Sequence, residues 1–180
     1  MNLSQPTLPR PNPNSYWVTP SLLAGEYPHF IDEQSQRNPL SHYLTHGFTY
    51  FLDLRQREAC PEHYDQNLPS HSPATGAPVI YHNIPIQDFG VPDNQQTMHN
   101  ILQTIDTAIN AGHKVYVHCW AGIGRTGMVV GCYLTRYGYN GDQALKKLQQ
   151  LWQQCAKSDF QQTPETLAQM QWVINWTQIK

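Results

Sequence analysis

The stretch that most constrains this chain runs from Val115 to Gly127, with the sequence VYVHCWAGIGRTG. A short β-branched run enters a loop with two glycines, and the largely apolar segment 128–134 that follows is typical of a buried helix. This order exposes backbone N–H groups at the positive end of a helix dipole, where anions bind. Cys119 lies in the loop, where the same positive field favours thiolate, and Arg125 follows after five intervening residues. The stretch therefore predicts a nucleophile inside an anion-binding loop.

Other interpretations of this stretch account for fewer of its residues. Gly122 to Gly127 also fits the G-x-G-x-x-G dinucleotide fingerprint, which requires an acidic residue at the end of the next strand. Asp142 has the approximate spacing, but residues 134–141 do not have the pattern of a strand. A Walker-type loop requires Gly-Lys-Ser/Thr, and the stretch contains no lysine. A cysteine simply buried in a strand-to-helix turn is common, but it gives no reason for Arg125 and the glycines.

The segment from His118 to Gly127, HCWAGIGRTG, resembles the signature loop of cysteine-dependent protein tyrosine phosphatases. Its Gly-x-Gly-Arg-Thr-Gly ending is similar to that of the dual-specificity-like branch. Residues 16–28, YWVTPSLLAGEYP, resemble the opening hairpin of bacterial members of that branch. The resemblance implies one phosphatase domain over residues 15–180 that hydrolyses phosphotyrosine, with phosphoserine and phosphothreonine left open as substrates.

The chemistry of such an enzyme suggests a role for each residue around the signature loop. Cys119 is expected to attack phosphorus and form a phosphocysteine intermediate, which divides one difficult step into two. Arg125 and the loop N–H groups are expected to hold the equatorial oxygens. We expect His118 to order the loop, and Thr126 to donate its hydroxyl to the thiolate, to cap the helix, or both. The predicted phosphate-binding loop consists of Trp120, Ala121, Gly122, Ile123, Gly124 and Arg125.

The leaving oxygen needs a general acid, and Asp88 and Asp93 are the two candidates. The segment DFGVP that starts at Asp88 resembles the family's movable acid loop, in which this aspartate is the proton donor. The family's Trp-Pro before it is replaced by Ile86-Gln87. Asp93 forms a capping-box pattern with Gln96. We therefore assign Asp88 to catalysis, first as acid and then as base, and Asp93 to helix capping.

Two glutamines near the C-terminus are candidates for positioning the hydrolytic water. Gln162 begins the segment QTPET, which resembles the family's glutamine loop. Gln169 lies farther along the chain and competes for the same role. The chain is rich in glutamine, so a solvated polar residue is the alternative for either position.

Residues outside these motifs bear on substrate specificity. Tyr64, in the long loop 55–78, is a candidate for the aromatic wall of a phosphotyrosine slot, with surface packing as the alternative. Arg55 and Arg57 are candidates for binding a second acidic group, with simple solvation as the alternative. Relatives that act on inositol phosphates or phosphoinositides tend to carry lysines in the signature loop. The absence of lysine there argues against such substrates.

Predicted strands and helices alternate along the chain, which favours an α/β fold. We predict strands within 16–18, 22–25, 48–54, 79–84 and 115–118, and helices within 40–44, 98–109, 128–134 and 144–155. A last helix is predicted to open at Thr163 with Pro164 in its first position. The expected architecture is a mixed sheet with parallel central strands flanked by helices. Because ligand sites gather at the carboxyl ends of parallel strands, the strand ends that carry Arg55 and Arg57, Asp88 and Cys119 should converge.

Composition and charge disfavour several functional classes. The net charge of −2 gives no general case for binding nucleic acid or an acidic membrane, and no apolar run is long enough to span a bilayer. Four cysteines without metal-type spacing indicate a reducing compartment, so we expect a cytoplasmic protein. We also expect it to be a monomer and to need no metal or cofactor. Its partner would be a phosphorylated protein or a small phosphate ester. Residues 1–14 carry four prolines and are predicted to form a disordered tail.

Three rival functions remain open at this point. One is a module that binds phosphorylated partners without turnover, and another is a phosphatase of inositol phosphates or phospholipids. A nucleotide-binding oxidoreductase is the third. We also hypothesise that peroxide inactivates Cys119 reversibly, with Cys60 as a candidate partner for the oxidised sulfur.

Overall fold

The computed structural model describes residues 8–28, 39–59 and 63–176. Its strands are β1 (Ser15–Thr19), β2 (Leu22–Gly25), β3 (Phe48–Asp53), β4 (Ile80–Asn83) and β5 (Lys114–His118). Its α-helices are α1 (Pro39–Thr45), α2 (Gln95–Asn110), α3 (Gly124–Leu134), α4 (Gly141–Trp152) and α5 (Leu167–Asn175). Single turns of 3-10 helix occur at Arg57–Ala59, Tyr64–Asn67, Thr135–Tyr137 and Ala156–Asp159. None of the described helices has the length and apolar character needed to cross a membrane.

The five strands form one sheet in the order β1-β2-β5-β3-β4. β1 and β2 form an antiparallel hairpin, whereas β2, β5, β3 and β4 pair in parallel. The predicted mixed sheet with parallel central strands is confirmed. β5 lies in the middle of the sheet, so the residues that follow it emerge at the centre of the carboxyl edge.

Side chains alternate between the two faces of the sheet, as the period of two in a strand requires. On one face, Phe51 and Tyr116 pack with Tyr43 of α1 in an aromatic cluster. On the other face, Leu52 and Val117 join the larger core formed with α2, α3, α4 and α5. Every residue of α3 is buried, which explains why its sequence is apolar all round. This helix fixes the loop that precedes it.

The cap of α2 differs from the prediction. Asn94, not Asp93, is the N-cap residue, and its side-chain oxygen accepts a hydrogen bond from the Thr97 N–H at 2.9 Å. Asn94 has extended backbone angles, which let its side chain turn back over the first helical turn. The assignment of Asp93 to capping is therefore wrong by one residue.

The start of α5 also differs from the prediction. The helix begins at Leu167, and Thr166 is its N-cap residue. A reciprocal capping box joins the Thr166 hydroxyl to the Gln169 N–H and the Gln169 side chain to the Thr166 N–H. These bonds satisfy backbone donors at the helix start, so Thr163 and Pro164 lie in the preceding turn.

The N-terminal segment differs from a disordered tail at residues 10–14. Asn12 is buried, and its side chain donates to Glu26 Oε1 at 3.0 Å. The Arg10 guanidinium donates to the carbonyl groups of Ser15 and Gln154. The proline content gave no sign of these polar contacts. Residues 1–7 lie outside the described residues, and the prediction stays untested there.

Gly141 allows α4 and α5 to approach closely. A Cβ atom added there would lie 2.4 Å from the Cα and carbonyl oxygen of Ile174, which cannot rotate away. We expect Gly141→Ala to lower the free energy of unfolding by about 1–3 kcal/mol, measured by urea denaturation. Gln150→Ala, at an exposed position of α4, is the control and should change it by less than about 0.5 kcal/mol. Equal stability of the two variants would contradict this packing.

Candidate active site

The loop between β5 and α3 forms a pocket at the carboxyl edge of the sheet, where the sequence predicted the anion site. The pocket has a volume of about 80 Å³. Cys119, Gly124 and Arg125 line its base and Asp88 its rim, together with Gln169 from α5. Cys119 and Arg125 are almost completely buried. The structure thus brings the predicted nucleophile, guanidinium and acid into one cavity.

Two carbonyl groups of the loop are bound by partners that lie outside the pocket. The Trp120 carbonyl accepts a hydrogen bond from the Tyr27 N–H at 2.9 Å. The Ala121 carbonyl accepts one from Lys157 Nζ, also at 2.9 Å. Lys157 is itself held by an ion pair with Glu26 Oε2 at 2.7 Å. Because C=O and the following N–H point in opposite directions in a trans peptide, these contacts direct the next N–H groups towards the pocket.

The two ends of the loop are held in the same way. Thr163 Oγ1 donates to the Ile123 carbonyl at 2.7 Å, and His118 Nδ1 donates to the Cys119 carbonyl at 3.0 Å. The result is a concave row of backbone N–H groups, which is a general anion-binding arrangement. It ends at the N-terminus of α3, where no side chain caps the helix.

Gly122 is required by the path of the loop. Its φ of +76° lies in the left-handed region that favours glycine. A Cβ atom there would also lie 2.5 Å from the Glu26 nitrogen and the Gly25 carbonyl carbon. The loop therefore packs directly on the end of β2, and any side chain at Gly122 would push it outward.

His118 is fully buried beneath the loop and lies between two polar partners. Burial lowers its pKa below the usual 6.5, and the nearby Asp53 carboxylate only partly opposes this effect. The neutral ring donates from Nδ1 to the Cys119 carbonyl, so Nε2 accepts from the Tyr64 hydroxyl at 2.7 Å. This geometry is what a loop-ordering role for His118 requires. Tyr64 is buried against His118, so it is not a wall of the pocket and that prediction is wrong.

Arg55 and Arg57 are both engaged within the domain. Arg55 is buried and pairs with Asp53, with an Nη2–Oδ2 distance of 2.9 Å. Burial opposes ionisation of Asp53, but the hydrogen bonds and the charge of Arg55 favour the carboxylate, and the pKa of Asp53 is lowered. Arg57 pairs with Asp65 at 3.2 Å. The structure therefore does not support the prediction that these arginines bind a second acidic group of the substrate.

The buried Arg55 instead helps to orient an aromatic residue of the pocket rim. Its guanidinium carbon lies 3.8 Å from the centre of the Tyr27 ring. Tyr27 in turn stacks on Trp120, with ring centres 5.2 Å apart. Trp120 remains 42% exposed at the mouth of the pocket. The stack fixes one apolar wall for an incoming side chain.

The predicted acid loop lies directly over the phosphate-binding loop. Asp88 Oδ1 is 2.7 Å from Arg125 Nη2, and the Asp88 side chain is 62% exposed. Arg125 Nη1 also donates to the Ile86 carbonyl at 3.3 Å. Phe89 has a φ of +56°, an uncommon conformation for a non-glycine residue, and lines the pocket. In this arrangement the Asp88 carboxylate is paired with the guanidinium that a substrate phosphate would need to bind.

The start of α5 holds the acid loop in place. The side-chain amide of Gln169 donates to the Gly90 carbonyl at 3.0 Å, and the Thr166 hydroxyl contacts the Phe89 carbonyl at 3.5 Å. Gln169 is buried and lines the pocket, whereas Gln162 is exposed and lies outside its lining. The structure therefore favours Gln169 over Gln162 as the water-positioning candidate.

One pocket residue was missed in the sequence. Glu165 lines the pocket together with Gln169, four positions later in the chain. Glu165 lies in the turn before α5 and is brought to the pocket by the hydrogen bond from its N–H to Gln169 Oε1, which no sequence pattern indicates.

Three further predictions have different outcomes. The Thr126 hydroxyl donates to the Gly25 carbonyl at 3.5 Å and does not cap α3, whose N-terminus has no side-chain cap. The capping role is therefore wrong, and donation to the thiolate stays a prediction. Cys60 lies outside the described residues, and its pairing with Cys119 stays untested. Within the part of the chain that the structure describes, no group of three or more His, Cys, Asp or Glu could hold a metal ion.

Comparison with known proteins identifies the family. A family model described as "Tc-R-P: Polymorphic toxin system, DSP-PTPase phosphatase" matches residues 46–139, which include both the acid loop and the signature loop. The chain belongs to the dual-specificity-like protein tyrosine phosphatases. It is thus a member of the cysteine-dependent superfamily that its signature loop resembles.

Individual relatives support this assignment. The chain is 29% identical over 129 residues to the candidate tyrosine phosphatase 067L of Invertebrate iridescent virus 3. The match covers 68% of this chain and 46% of the relative, so the chain spans less than half of that protein.

Two solved structures show the same fold. The crystal structure of Tk-PTP in the active form superposes with a TM-score of 0.61 at 21% identity, over 88% of this chain and 92% of that one. The core catalytic domain of the PP-IP phosphatase SIW14 from S. cerevisiae gives a TM-score of 0.62 at 15% identity, over 91% and 85%. Phosphatases with different names share this fold, so the substrate must be inferred from the pocket.

Removal of the Tyr64 hydroxyl should disturb the loop through His118. Tyr64→Phe leaves a buried imidazole nitrogen without its donor, so we expect the free energy of unfolding to fall by about 1–3 kcal/mol. Turnover should fall as well, because His118 orders the peptide of Cys119. Urea denaturation and phosphatase assays measure the two effects. Tyr137→Phe, at an exposed tyrosine, is the control, and a Tyr64→Phe enzyme indistinguishable from it would contradict the network.

The low pKa of His118 should make the protein less stable in weak acid. The unfolded chain protonates this histidine near pH 6.5, whereas burial makes the folded protein protonate it only at a lower pH, so the unfolded state binds more protons and stability falls as the pH decreases. We expect the free energy of unfolding to depend less on pH between about 7 and 5 in His118→Gln than in the wild type. Parallel curves for the two proteins would show that His118 titrates normally.

Proposed function

We propose that this chain hydrolyses phosphotyrosine in proteins through a phosphocysteine intermediate on Cys119. The observation that carries the proposal is the single pocket in which Cys119, Arg125 and Asp88 meet beneath a row of backbone N–H groups. Each component of phosphoryl transfer through cysteine has a candidate there. A module that only binds phosphorylated partners would need no acid beside the guanidinium.

In the first step, the substrate phosphate displaces the Asp88 carboxylate from Arg125. The loop N–H groups and the guanidinium then hold the equatorial oxygens, where charge develops in the transition state. The Cys119 thiolate attacks phosphorus, so the S–P bond forms while the bond to the leaving oxygen breaks. Once it is released from Arg125, the Asp88 carboxylate takes up a proton from solvent and passes it to that oxygen, and the dephosphorylated tyrosine leaves.

In the second step, Asp88 acts as the base. Its carboxylate takes a proton from a water molecule, which Gln169 orients from the side of the pocket. The water oxygen attacks phosphorus and the P–S bond breaks. Inorganic phosphate leaves, the Cys119 thiolate is restored, and Asp88 returns its proton to solvent as its carboxylate pairs with Arg125 again.

The rim of the pocket supports an aromatic phosphoester as the substrate. Trp120 and Phe89 both line the mouth and expose their rings there, where they can pack against the ring of phosphotyrosine. Phosphoserine and phosphothreonine would reach the loop without using these walls, so we expect them to be poorer substrates.

The charges of the pocket disfavour inositol phosphates and phospholipids. Arg125 is the only cationic residue among the described residues that line the pocket, and two carboxylates, Asp88 and Glu165, accompany it. A substrate with several phosphate groups would meet repulsion beyond the first one. We therefore favour a protein substrate over these alternatives.

The free cysteines fit an activity in a reducing compartment. Cys119, Cys132 and Cys155 are all unpaired in the structure, and burial raises the pKa of the Cys132 thiol, so Cys132 remains an inert packing residue. We propose that the protein acts in the cytoplasm, where thiols stay reduced.

The mechanism is tested by hydrolysis of a phosphotyrosine peptide without added metal. We expect Cys119→Ser to abolish turnover and Asp88→Asn to lower it by about a hundredfold or more. Asp93→Asn, at an exposed aspartate outside the pocket, is the matched control and should retain full activity. The loss in Asp88→Asn should shrink with p-nitrophenyl phosphate, because its leaving group needs no proton.

Three outcomes would contradict the proposal. Full activity of Cys119→Ser would exclude the phosphocysteine route. Equal losses in Asp88→Asn and Asp93→Asn would show that the acid is misassigned. A wild-type protein that binds the phosphopeptide without releasing phosphate would be a binding module.

A further inference from the structure

Glu165 lies beside the phosphate-binding loop in the turn before α5. Its backbone N–H donates to Gln169 Oε1 at 3.2 Å, which fixes the turn at the side of the pocket. Its carboxylate reaches the start of α3, since Oε2 lies 3.2 Å from the position that a Cβ atom on Gly124 would take. A negative charge therefore lies next to the site where the substrate phosphate would bind.

The Glu165 carboxylate makes no ion pair within the described residues. The other glutamate near the loop is different, because Glu26 is bound by Lys157 at 2.7 Å and by the amide of Asn12 at 3.0 Å. Glu26 therefore has a structural partner, whereas Glu165 is exposed and faces the mouth of the pocket.

Among the described residues, no cation pairs with this charge to offset its cost. A carboxylate near a phosphate dianion weakens binding of the phosphate alone, since like charges repel. In the ligand-free pocket Arg125 is paired with Asp88, and the substrate phosphate would take that guanidinium. Glu165 would still have no cationic partner among the described residues. A positively charged group on the substrate would pair with the Glu165 carboxylate and so offset its repulsion of the phosphate. Substrates without such a group would still meet this repulsion, which makes the pocket selective against them.

The surroundings of Glu165 favour a peptide as the carrier of that cation. Leu167, two residues later, is 69% exposed, and Phe89 on the facing acid loop is 61% exposed. The Thr166 hydroxyl contacts the Phe89 carbonyl at 3.5 Å, so the segment that carries Leu167 adjoins the rim formed by Phe89. A small, highly solvated phosphate ester gains nothing from such a rim, whereas a polypeptide covers it.

We propose that Glu165 selects phosphotyrosine sites that have a lysine or arginine next to the phosphorylated residue. The inference rests on the proposed phosphatase function and names the substrate class of the same pocket. The phosphate occupies the loop, the tyrosine ring packs between Trp120 and Phe89, and the neighbouring cation pairs with the Glu165 carboxylate. A peptide with an acidic neighbour places two like charges together and binds more weakly.

The test compares three phosphotyrosine peptides that differ only in the residues flanking the phosphotyrosine, which are lysine, glutamine or glutamate. The kcat/KM of each is measured at low and high salt with wild type, Glu165→Gln, Glu165→Lys and the control Asp142→Asn. Asp142 is an exposed aspartate in α4, outside the pocket lining. We expect wild type and control to prefer the lysine peptide over the glutamate peptide by about five- to tenfold at low salt, and less at high salt.

The charge variants decide the proposal. Glu165→Gln should reduce the preference to about twofold or less, and Glu165→Lys should invert it, with the change in KM rather than in kcat. A preference that is the same in wild type and Glu165→Lys would overturn the inference. So would a wild type that favours the glutamate peptide. Hydrolysis of p-nitrophenyl phosphate, measured in parallel, separates the two proposals. If no substrate is turned over, the phosphatase function itself is refuted. If substrates are turned over but the charge of the flanking residues has no effect on kcat/KM, only the role of Glu165 is refuted.

Discussion

The site depends on the hydrogen bonds that hold the carbonyl groups of the signature loop away from the pocket. Four donors from different parts of the chain bind these carbonyls: His118, Tyr27, Lys157 and Thr163. Without them, a short glycine-containing loop has many conformations and its N–H groups have no common direction. With them, the loop is organised for an anion before any substrate arrives, which is the condition for strong electrostatic stabilisation of a transition state.

Similar contacts connect the signature loop and the acid loop to the core. Glu26 and its partner Lys157 connect the end of β2 to the Ala121 carbonyl, and Gln169 connects α5 to the Gly90 carbonyl of the acid loop. Arg125 lies between the two loops and bonds to both Asp88 and the Ile86 carbonyl. In the mechanism that we propose, the substrate phosphate replaces the Asp88 carboxylate at Arg125, and the released Asp88 then serves as the general acid.

Sequence analysis predicted the parts of the molecule that rest on local patterns. The α/β alternation and the strand-loop-helix around Cys119 follow from periodicity and glycine placement, and the structure has them. The hairpin, which the structure also has, was implied by the resemblance of residues 16–28 to the family's opening hairpin. Sequence analysis could not predict the bond between Tyr64 and His118, because those residues are far apart in the chain and no pattern links them. Arg55 was expected at the surface, since a buried arginine is rare unless it is paired, and its partner Asp53 belongs to a strand. The caps at Asn94 and Thr166 depend on the path of the chain before each helix.

The central claim, that phosphate passes through Cys119, is tested most directly by trapping the intermediate. The wild-type protein is mixed with a phosphotyrosine peptide, quenched in acid during turnover, digested and analysed by mass spectrometry. The account predicts a phosphoryl group on the sulfur of Cys119 in the peptide that contains the signature loop. Release of phosphate with no phosphoryl group on Cys119, or with one on a different residue, would contradict it.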